Sequence, residues 1–217
     1  IVAGGSGSRF GGDIPKQFQL LCGRPVLMHT IDKFAACDAT VTLVLPQAHH
    51  DLWSDLCKQY AYTTPHAVAT GGASRFESVR NGLMTLSLNE GDTVAVHDGV
   101  RPLVSTHLVE TCYETAHTCG SAIPAINPAD SIRMMDGDGK SHQLLRSDLR
   151  AVQTPQTFDA SVLKGAYDVP FSPLFTDDAS VVEAAGHQVT LVEGEPSNIK
   201  ITHPIDIIVA EKLMTDE

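Results

Sequence analysis

A glycine-rich segment near the start of the chain carries the residue types that bind phosphates. It reads Ala3-Gly4-Gly5-Ser6-Gly7-Ser8-Arg9, and Lys16 follows in Pro15-Lys16-Gln17. Glycines let backbone N–H groups come close to a ligand because no Cβ intervenes. A cluster of such N–H groups beside two fixed cations suits a polyphosphate. We therefore predict a phosphate-binding loop with Arg9 and Lys16 as its cations.

Two better-known glycine loops do not fit this spelling. The dinucleotide-binding fingerprint needs a third glycine where this chain has Phe10. A Walker A loop needs a lysine after its last glycine, whereas Lys16 follows a proline. An ordinary turn between a strand and a helix remains an alternative, because short glycine patterns give frequent false positives.

A second candidate is His97-Asp98-Gly99-Val100-Arg101-Pro102, which follows the predicted strand Thr93–His97. In doubly wound sheets, ligands bind outside the carboxyl ends of the strands. Asp98 is therefore placed to contact a ribose, a substrate hydroxyl or a metal ion held by phosphates. The alternative is a plain Asp-Gly turn with an Arg-Pro exit.

A third candidate is Gly71-Gly72-Ala73-Ser74-Arg75, with Ser78 one helical turn later. Its backbone groups can read the edge of a nucleotide base. The segment also predicts the start of a helix, because Ser74 and Glu77 have the spacing of a capping box.

Three shorter segments complete the set. Asn198-Ile199-Lys200-Ile201-Thr202 places a lysine in an apolar, strand-like run, where it either keeps an edge strand soluble or binds a phosphate. Thr154-Pro155-Gln156 and Thr176-Asp177-Asp178-Ala179 are turn-like, and Thr176 is a candidate helix N-cap.

Short apolar runs alternate with amphipathic stretches along the chain, which predicts βαβ units and a mainly parallel sheet. We predict helices over Pro25–Phe34, around Leu52–Leu56, after Ser74, and over Ile205–Leu213 behind Pro204. The predicted strands are Ile1-Val2, Val41–Leu45, Ala67–Ala69, Thr93–His97, Ala122–Ile126 and Gln188–Val192.

The polar segment from about 127 to 157 interrupts this alternation. A turn at Asp136-Gly137-Asp138-Gly139 separates Ser131–Met135 from His142–Leu145, which predicts a projecting β-hairpin. A long arm on a small domain often packs against a second subunit, so we expect a homodimer. A mobile surface hairpin is the alternative.

Composition excludes several classes of protein. The 217 residues carry a net charge of −11, which argues against a broad nucleic-acid or membrane surface. No apolar run approaches the length of a membrane span, and no signal peptide is recognisable. The five cysteines form no C-x-x-C pair, so we expect no zinc site or disulfide framework, and a cytoplasmic location. Because Ile1 stands in a predicted strand without a preceding methionine, we expect a few residues to precede it.

These motifs occur together, in this order and spacing, in one known family. The chain resembles the 2-C-methyl-D-erythritol 4-phosphate cytidylyltransferases of non-mevalonate isoprenoid biosynthesis, over nearly its whole length. The resemblance implies a single nucleotidyltransferase domain over residues 1–217, with a β-arm at about 127–157. It implies an α/β, Rossmann-like fold, with a mainly parallel twisted sheet flanked by helices and a hairpin arm that joins two subunits.

The resemblance also assigns residues to the two substrates. For CTP, it implies that Ala3, Gly4, Gly5 and Gly7 hold the phosphates, Arg9 and Lys16 act on the reacting phosphoryl group, Gly72 and Ser78 read the cytosine, and Gly99 lies near the ribose. For the sugar phosphate, it implies Asp98, Arg101, Thr154, Thr176 and Lys200, with Ser131 and Arg146 reaching the partner subunit's substrate. The expected cofactor is Mg²⁺, held mainly through the CTP phosphates.

Two positions depart from the usual family pattern. Ser131 stands where the family has a threonine, and Ala73 replaces an acidic residue, so a base contact at Ala73 can only come from the backbone. The spelling Ala3-Gly4-Gly5 also occurs in ribitol-5-phosphate cytidylyltransferases, which leaves ribitol 5-phosphate as an alternative acceptor. A catalytically silent nucleotide-binding module is the alternative of another class.

Overall fold

The structure, a computed structural model, describes residues 1–4 and 14–215. Short 3₁₀ turns cover Lys16–Phe18, Gln47–His49 and Arg146–Asp148. The helices of the described chain are α1 Val26–Ala35, α2 His50–Gln59, α3 Arg75–Met84, α4 Thr106–Cys119, α5 Ala160–Ala166, α6 Asp178–Ala184 and α7 Pro204–Thr215. None of these described helices combines the length and apolar composition that a membrane span needs.

The strands are short, and the largest sheet contains five of them. They are β1 Leu20–Leu21, β2 Arg24–Pro25, β3 Thr42–Leu45, β4 Ala67–Thr70, β5 Thr93–Val96, β6 Ser121–Ile126, β7 Arg133–Met135, β8 Ser141–Gln143, β9 Ala151–Val152, β10 Gln156–Asp159 and β11 Leu191–Glu193. β3 and β4 pair in parallel, and β11, β6, β10 and β5 lie side by side in that order. Val2 connects the two groups through parallel bridges to Val44 and Asp98.

This architecture confirms the predicted α/β fold with a mainly parallel sheet between helices. Two apolar clusters fill the space on the two faces of the sheet. One joins α1, α2 and α4 around Leu27, Leu43 and Leu108. The other joins α3, α5 and α6 around Phe158 and Val182. Each face is covered by helices, which explains why β3 and β6 are almost entirely buried.

One central strand, β10, was not predicted. It runs antiparallel between β5 and β6, so the turn-like interpretation of Gln156 is wrong. A buried strand that begins with two polar residues lacks the apolar pattern of its neighbours. Gln156 is tolerated there because it donates to the Asp177 carboxylate at 2.9 Å and accepts from the backbone N–H of Ala179 at 2.9 Å.

Three local predictions also need correction. Residues 198–202 form no strand, because the N–H of Ile201 bonds to the carbonyl of Val100 outside any ladder. The last strand is Leu191–Glu193, later than predicted, where it pairs with β6. The N-cap of α6 is Asp177, whose carboxylate accepts from the N–H of Ser180 at 3.0 Å, whereas Thr176 lies one residue earlier and is exposed.

The predicted hairpin is confirmed, with slightly shorter strands. β7 and β8 pair antiparallel around a turn in which Gly139 has a φ of 83°. Apolar side chains of this hairpin and its flank are exposed: Met134 by 50%, Met135 by 67% and Leu145 by 67%. Nothing in the described chain covers them to the degree seen in the two cores, so the hairpin has its own backbone pairing but little burial.

Candidate functional site

A cleft of about 380 Å³ lies at the carboxyl ends of the central strands. It collects residues of four predicted motifs, which lie far apart in the sequence. Its described lining consists of Val2, Ala3, Gly4, Lys16, Gln17, Gly72, Ala73, Ser74, Arg75, Ser78, Asp98, Val100 and Lys200. The position agrees with the general rule for ligand sites in open α/β sheets.

A larger cavity, of about 890 Å³, lies at the opposite end of the sheet, beside Ile1, Thr42 and Thr93. The only charged side chains in its described lining are carboxylates, among them Asp92 and Glu110. We place the site in the smaller cleft because cations and backbone donors converge there, and a polyphosphate needs both.

Asp98 is the electrostatic centre of the cleft. Its Oδ2 atom lies 3.0 Å from the Lys200 ammonium and 3.2 Å from Nε of Arg101. Its Oδ1 atom faces Nε of Arg75 at 3.9 Å. Burial by itself raises the pKa of Asp98, but the charges of Lys200, Arg75 and Arg101 outweigh burial and hold the pKa below its ordinary value. Asp98 is therefore a carboxylate at neutral pH and cannot act as an acid there.

Behind Asp98 lies a buried neutral histidine. His97 has no solvent exposure, and burial lowers its pKa to about 3. The Thr154 hydroxyl accepts from the N–H of Asp98 at 3.0 Å and lies 3.0 Å from Nδ1 of His97. Nε2 lies 3.1 Å from the carbonyl of Arg101. A neutral ring that carries its proton on Nε2 satisfies both contacts, because it donates to Arg101 and accepts from Thr154.

The glycine loop Gly71-Gly72 before α3 is held by a hydrogen bond to Ser78, and Gly72 packs too closely against Glu77 to carry a side chain. The N–H of Gly72 donates to the Ser78 hydroxyl at 3.1 Å, and that hydroxyl donates to the carbonyl of Ser74 at 2.9 Å. A Cβ on Gly72 would lie 2.3 Å from Cβ of Glu77, so only glycine fits. Ser74 and Glu77 form the predicted capping box. Ser78 thus shapes the loop, and its role in reading cytosine stays a prediction.

The first loop enters the cleft through Ala3 and Gly4. The carbonyl of Ala3 accepts from the buried side chain of Gln17 at 2.9 Å, which ties the loop to the turn that carries Lys16. The Lys16 ammonium donates to the carbonyl of Ile201 at 3.1 Å, next to Lys200 in the chain. The predicted residues Gly5, Gly7 and Arg9 lie outside the described residues.

Gly99 has a packing role in the same region. A Cβ there would meet Cβ of Ala3 at 2.9 Å and Cδ1 of Leu27 at 3.0 Å. Its N–H donates to the carbonyl of Val2 at 2.9 Å. Glycine at this position therefore allows the first loop to approach the end of β5, while its proximity to a ribose stays a prediction.

Five predicted substrate residues do not line the cleft of a single chain, and one of them, Thr154, is buried behind Asp98. Arg101 is mostly buried and donates to the carbonyl of Asn198 at 2.7 Å as well as to Asp98. Thr176 is exposed before α6, while Ser131 and Arg146 are exposed on the arm. Arg146 donates to the carbonyl of Ala129 at 2.8 Å, within the arm itself. The structure thus gives a cleft group and an arm group, while Arg101 and Thr154 lie buried beside Asp98 and Thr176 lies at the start of α6.

The structure also adds residues that the sequence did not single out for the site. Arg75 reaches Asp98 and forms a two-point ion pair with Asp178, at 3.0 and 2.6 Å. His97 and Gln17 are the others, both buried and hydrogen-bonded to cleft residues. A polar side chain inside an apolar run is the one feature that could have indicated His97, whereas no local pattern pairs Arg75 with a residue 103 positions away.

Metal-binding side chains do not cluster in residues 1–4 and 14–215, where no group of three or more His, Cys, Asp or Glu could hold an ion. Asp98 is already neutralised by three cations. The described side chains therefore do not by themselves form a Mg²⁺ site, and we assign no step to a protein-held metal.

Comparisons with a family model, with relatives and with solved structures all indicate one family. The family model of 2-C-methyl-D-erythritol 4-phosphate cytidylyltransferase (IspD) matches residues 1–216. The relative of that name from Phocaeicola vulgatus is 48% identical, over 99% of this chain and 97% of its own length. The relative from Porphyromonas gingivalis, with the same name, is 46% identical over 99% and 96%.

Solved structures agree with these relatives. The 4-diphosphocytidyl-2C-methyl-D-erythritol synthase from Anaerococcus prevotii superposes with a TM-score of 0.82, at 28% identity, over 99% of this chain and 95% of the other. The 2-C-methyl-D-erythritol 4-phosphate cytidylyltransferase from Thermus thermophilus has a TM-score of 0.77 at 34% identity, over 95% and 96%.

Proposed function

The chain belongs to the 2-C-methyl-D-erythritol 4-phosphate cytidylyltransferase family and is a CTP-dependent cytidylyltransferase, and we propose that the cations around Asp98 perform the transfer. The reaction gives 4-diphosphocytidyl-2-C-methyl-D-erythritol and pyrophosphate, a step of non-mevalonate isoprenoid biosynthesis. The convergence of Lys16, Lys200 and Arg75 with two glycine loops in one cleft carries this proposal. In a chain of net charge −11, such a cluster marks an anion site.

The chemistry needs no general base. The second pKa of a phosphate monoester is near 6, so an oxygen of methylerythritol phosphate is already a nucleophile at neutral pH. That oxygen attacks the α-phosphorus of CTP, and the bond from this phosphorus to the bridging oxygen of the β-phosphate breaks. Pyrophosphate leaves with that electron pair. The protein has to bring two anions together, align them and stabilise the charge that develops.

The cleft residues divide this work by position. Ala3, Gly4 and Gly72 supply the described backbone of the two loops on the nucleotide side. Lys16 adjoins the first loop and is proposed to stabilise the reacting phosphoryl group, together with Arg9. Lys200 is proposed to bind the acceptor phosphate and reduce the repulsion between the two substrates. Asp98, as a carboxylate, is suited to accept a hydrogen bond from an acceptor hydroxyl.

Mg²⁺ is proposed to enter with CTP, held by its phosphates. When bound, it neutralises part of the triphosphate charge. The side chains of the chain itself are proposed to position both substrates.

The arm is proposed to complete the site of a second subunit. Arg146 and Ser131 are exposed on it and do not reach the cleft of their own chain. Its exposed apolar side chains favour a contact with another protein surface. We therefore propose a homodimer with shared active sites, in which each arm supplies Arg146 to its partner. The cytoplasm stays the expected compartment.

The direct test is release of pyrophosphate from CTP and Mg²⁺ with each sugar phosphate offered separately. We expect release with 2-C-methyl-D-erythritol 4-phosphate, and release about 1,000-fold slower from the Lys16→Ala variant under the same conditions. Release with ribitol 5-phosphate alone would overturn the acceptor. No release with either acceptor would favour a silent nucleotide-binding module.

A further inference from the structure

Arg75 connects two parts of the cleft that bind different substrates in the proposed function, on which this inference rests. It is the first residue of α3, directly after the glycine loop on the nucleotide side. Its guanidinium forms a two-point ion pair with Asp178, the first residue of α6. Thr176, assigned to the acceptor, lies two residues before Asp178. One side chain therefore spans from the nucleotide loop to the acceptor segment.

Asp178 is a rigid anchor for this contact. It has no solvent exposure, and its Oδ1 atom also accepts from the Tyr167 hydroxyl at 2.6 Å. The start of α6 is itself fixed, because Gln156 bonds to both Asp177 and Ala179. Two parallel N–H···O bonds set the direction of a guanidinium as well as its distance. Arg75 thus has one orientation in the folded protein.

That orientation aims the third nitrogen of Arg75 at Asp98. Nε lies 3.9 Å from Oδ1, while Lys200 and Arg101 both contact Oδ2. If Lys200 turned toward an acceptor phosphate, Arg75 and Arg101 would still balance the Asp98 charge. The carboxylate would then keep its place with one cation on each oxygen.

We propose that Arg75, fixed by Asp178, is a positioning residue of the transfer. It holds the nucleotide loop, Asp98 and the acceptor segment at a constant separation, so that the attacking oxygen and the α-phosphorus meet in line. Its contribution is to the geometry of the reaction and not to the affinity for CTP.

The test compares Arg75→Gln, Arg75→Lys, Asp178→Asn and the double variant Arg75→Gln/Asp178→Asn. Each is assayed for kcat and KM with both substrates, and for CTP affinity by calorimetry, well below its own Tm. We expect Arg75→Gln and Asp178→Asn each to lower kcat by about 100-fold, the scale of a misplacement near 1 Å. The double variant should lose about the same factor as either single one, because the two residues act as a unit.

The conservative variant separates charge from geometry. Lysine keeps the charge but cannot make the two-point contact, so Arg75→Lys should lose about 10-fold in kcat, with CTP affinity within about threefold of the unchanged chain. Arg24→Gln is the matched control, since it breaks the ion pair with Asp32 away from the cleft. It should lower Tm and leave kcat unchanged.

Each other outcome overturns the proposal. A large loss in Arg75→Gln with normal kcat in Asp178→Asn would mean that Arg75 acts on substrate directly. Normal kcat in both, with only a lower Tm, would leave the pair a purely structural contact. If both fail to fold, Arg75→Lys decides, and a normal kcat refutes positioning. An inactive unchanged chain refutes the proposed function instead.

Discussion

The cleft and the arm are built in opposite ways. In the cleft, each charged group has its partners within the same chain, as the contacts of Asp98 with Lys200, Arg101 and Arg75 show. In the arm, Met135 and Leu145 are each exposed by 67%, and Arg146 contacts only the arm's own backbone in the described structure. The charged groups of the cleft are thus held by contacts with one another, whereas the arm presents apolar side chains that no described part of the chain buries.

The geometry of the cleft and the geometry of the arm have different sources. Buried, mutually hydrogen-bonded groups stay in place before a ligand arrives, so they can stabilise developing charge without rearrangement. An exposed two-stranded hairpin is marginal by itself and gains order by packing on another surface. We therefore expect substitutions in the cleft to change the chemistry, and substitutions in the arm to change assembly first.

The largest effect should come from the cleft. Lys16→Ala removes the cation that we propose to stabilise the reacting phosphoryl group, and we expect kcat to fall by about 1,000-fold, with a much smaller loss of CTP affinity. Steady-state kinetics and calorimetry with CTP measure the two quantities. Lys58→Ala, on an exposed ion pair of α2, is the control. Equal losses in turnover and binding would remove the transition-state role of Lys16.

The next prediction tests whether the arm belongs to a neighbouring site. Arg146→Ala should lower kcat by about 100-fold, because a positioning contact to the acceptor is lost. When the Arg146→Ala protein is mixed and re-equilibrated with the Lys16→Ala protein, half of the dimers contain one chain of each kind. In such a dimer one of the two sites has both Lys16 and Arg146, so we expect the mixture to show about one quarter of normal activity. No recovery on mixing would show that each arm serves its own chain.

The pH dependence of stability should come from the buried region behind the cleft and not from the exposed arm. The folded pKa of His97 is about 3, below the ordinary value of about 6.5. Between these values the unfolded chain binds more protons, so stability is fully present above pH 6.5 and falls as pH falls. We expect the free energy of unfolding in urea to drop by about 2 kcal/mol between pH 7 and pH 5 from this residue.

Three variants show which histidine causes the pH dependence of the free energy of unfolding. His97→Gln should be less stable at pH 7 but depend less on pH, whereas His142→Gln, on the exposed hairpin, should keep the slope of the unchanged chain. His29 also has a lowered pKa, because it is partly buried, and His29→Gln measures its share. An unchanged slope in His97→Gln would mean that the buried imidazole does not control acid stability.

The smallest effect concerns the arm's apolar surface. Met135→Ser should weaken the proposed dimer by about tenfold, the factor expected when about 1.4 kcal/mol of apolar burial is lost. Light scattering over a dilution series measures it, and Met84→Ser, at a position exposed by 71% outside the arm, is the control. A monomer at every concentration of the unchanged chain would refute the shared-site dimer.

Much of the fold could be predicted because alternation and turn chemistry are local. The strands after Val41 and Thr93, the α3 capping box and the hairpin turn all follow from neighbouring residues. β10 could not be predicted, since Gln156 and Thr157 are polar and become compatible with a central strand only through bonds to α6 and its neighbours. The prediction of a strand around Lys200 was wrong for the converse reason: the residues on either side of it are apolar, but their backbone hydrogen bonds lie outside any ladder.

Residue types at short spacing predicted a phosphate-binding loop, the Asp98 turn and the resemblance to one family, and the comparisons confirmed the family. Three features became visible only in the folded chain: Lys200, Arg101 and Arg75 share the Asp98 carboxylate, His97 lies buried and neutral behind it, and Arg75 joins the starts of α3 and α6. Charge interactions depend on distance and burial. Both are set when the sheet brings residues 75, 98, 178 and 200 together.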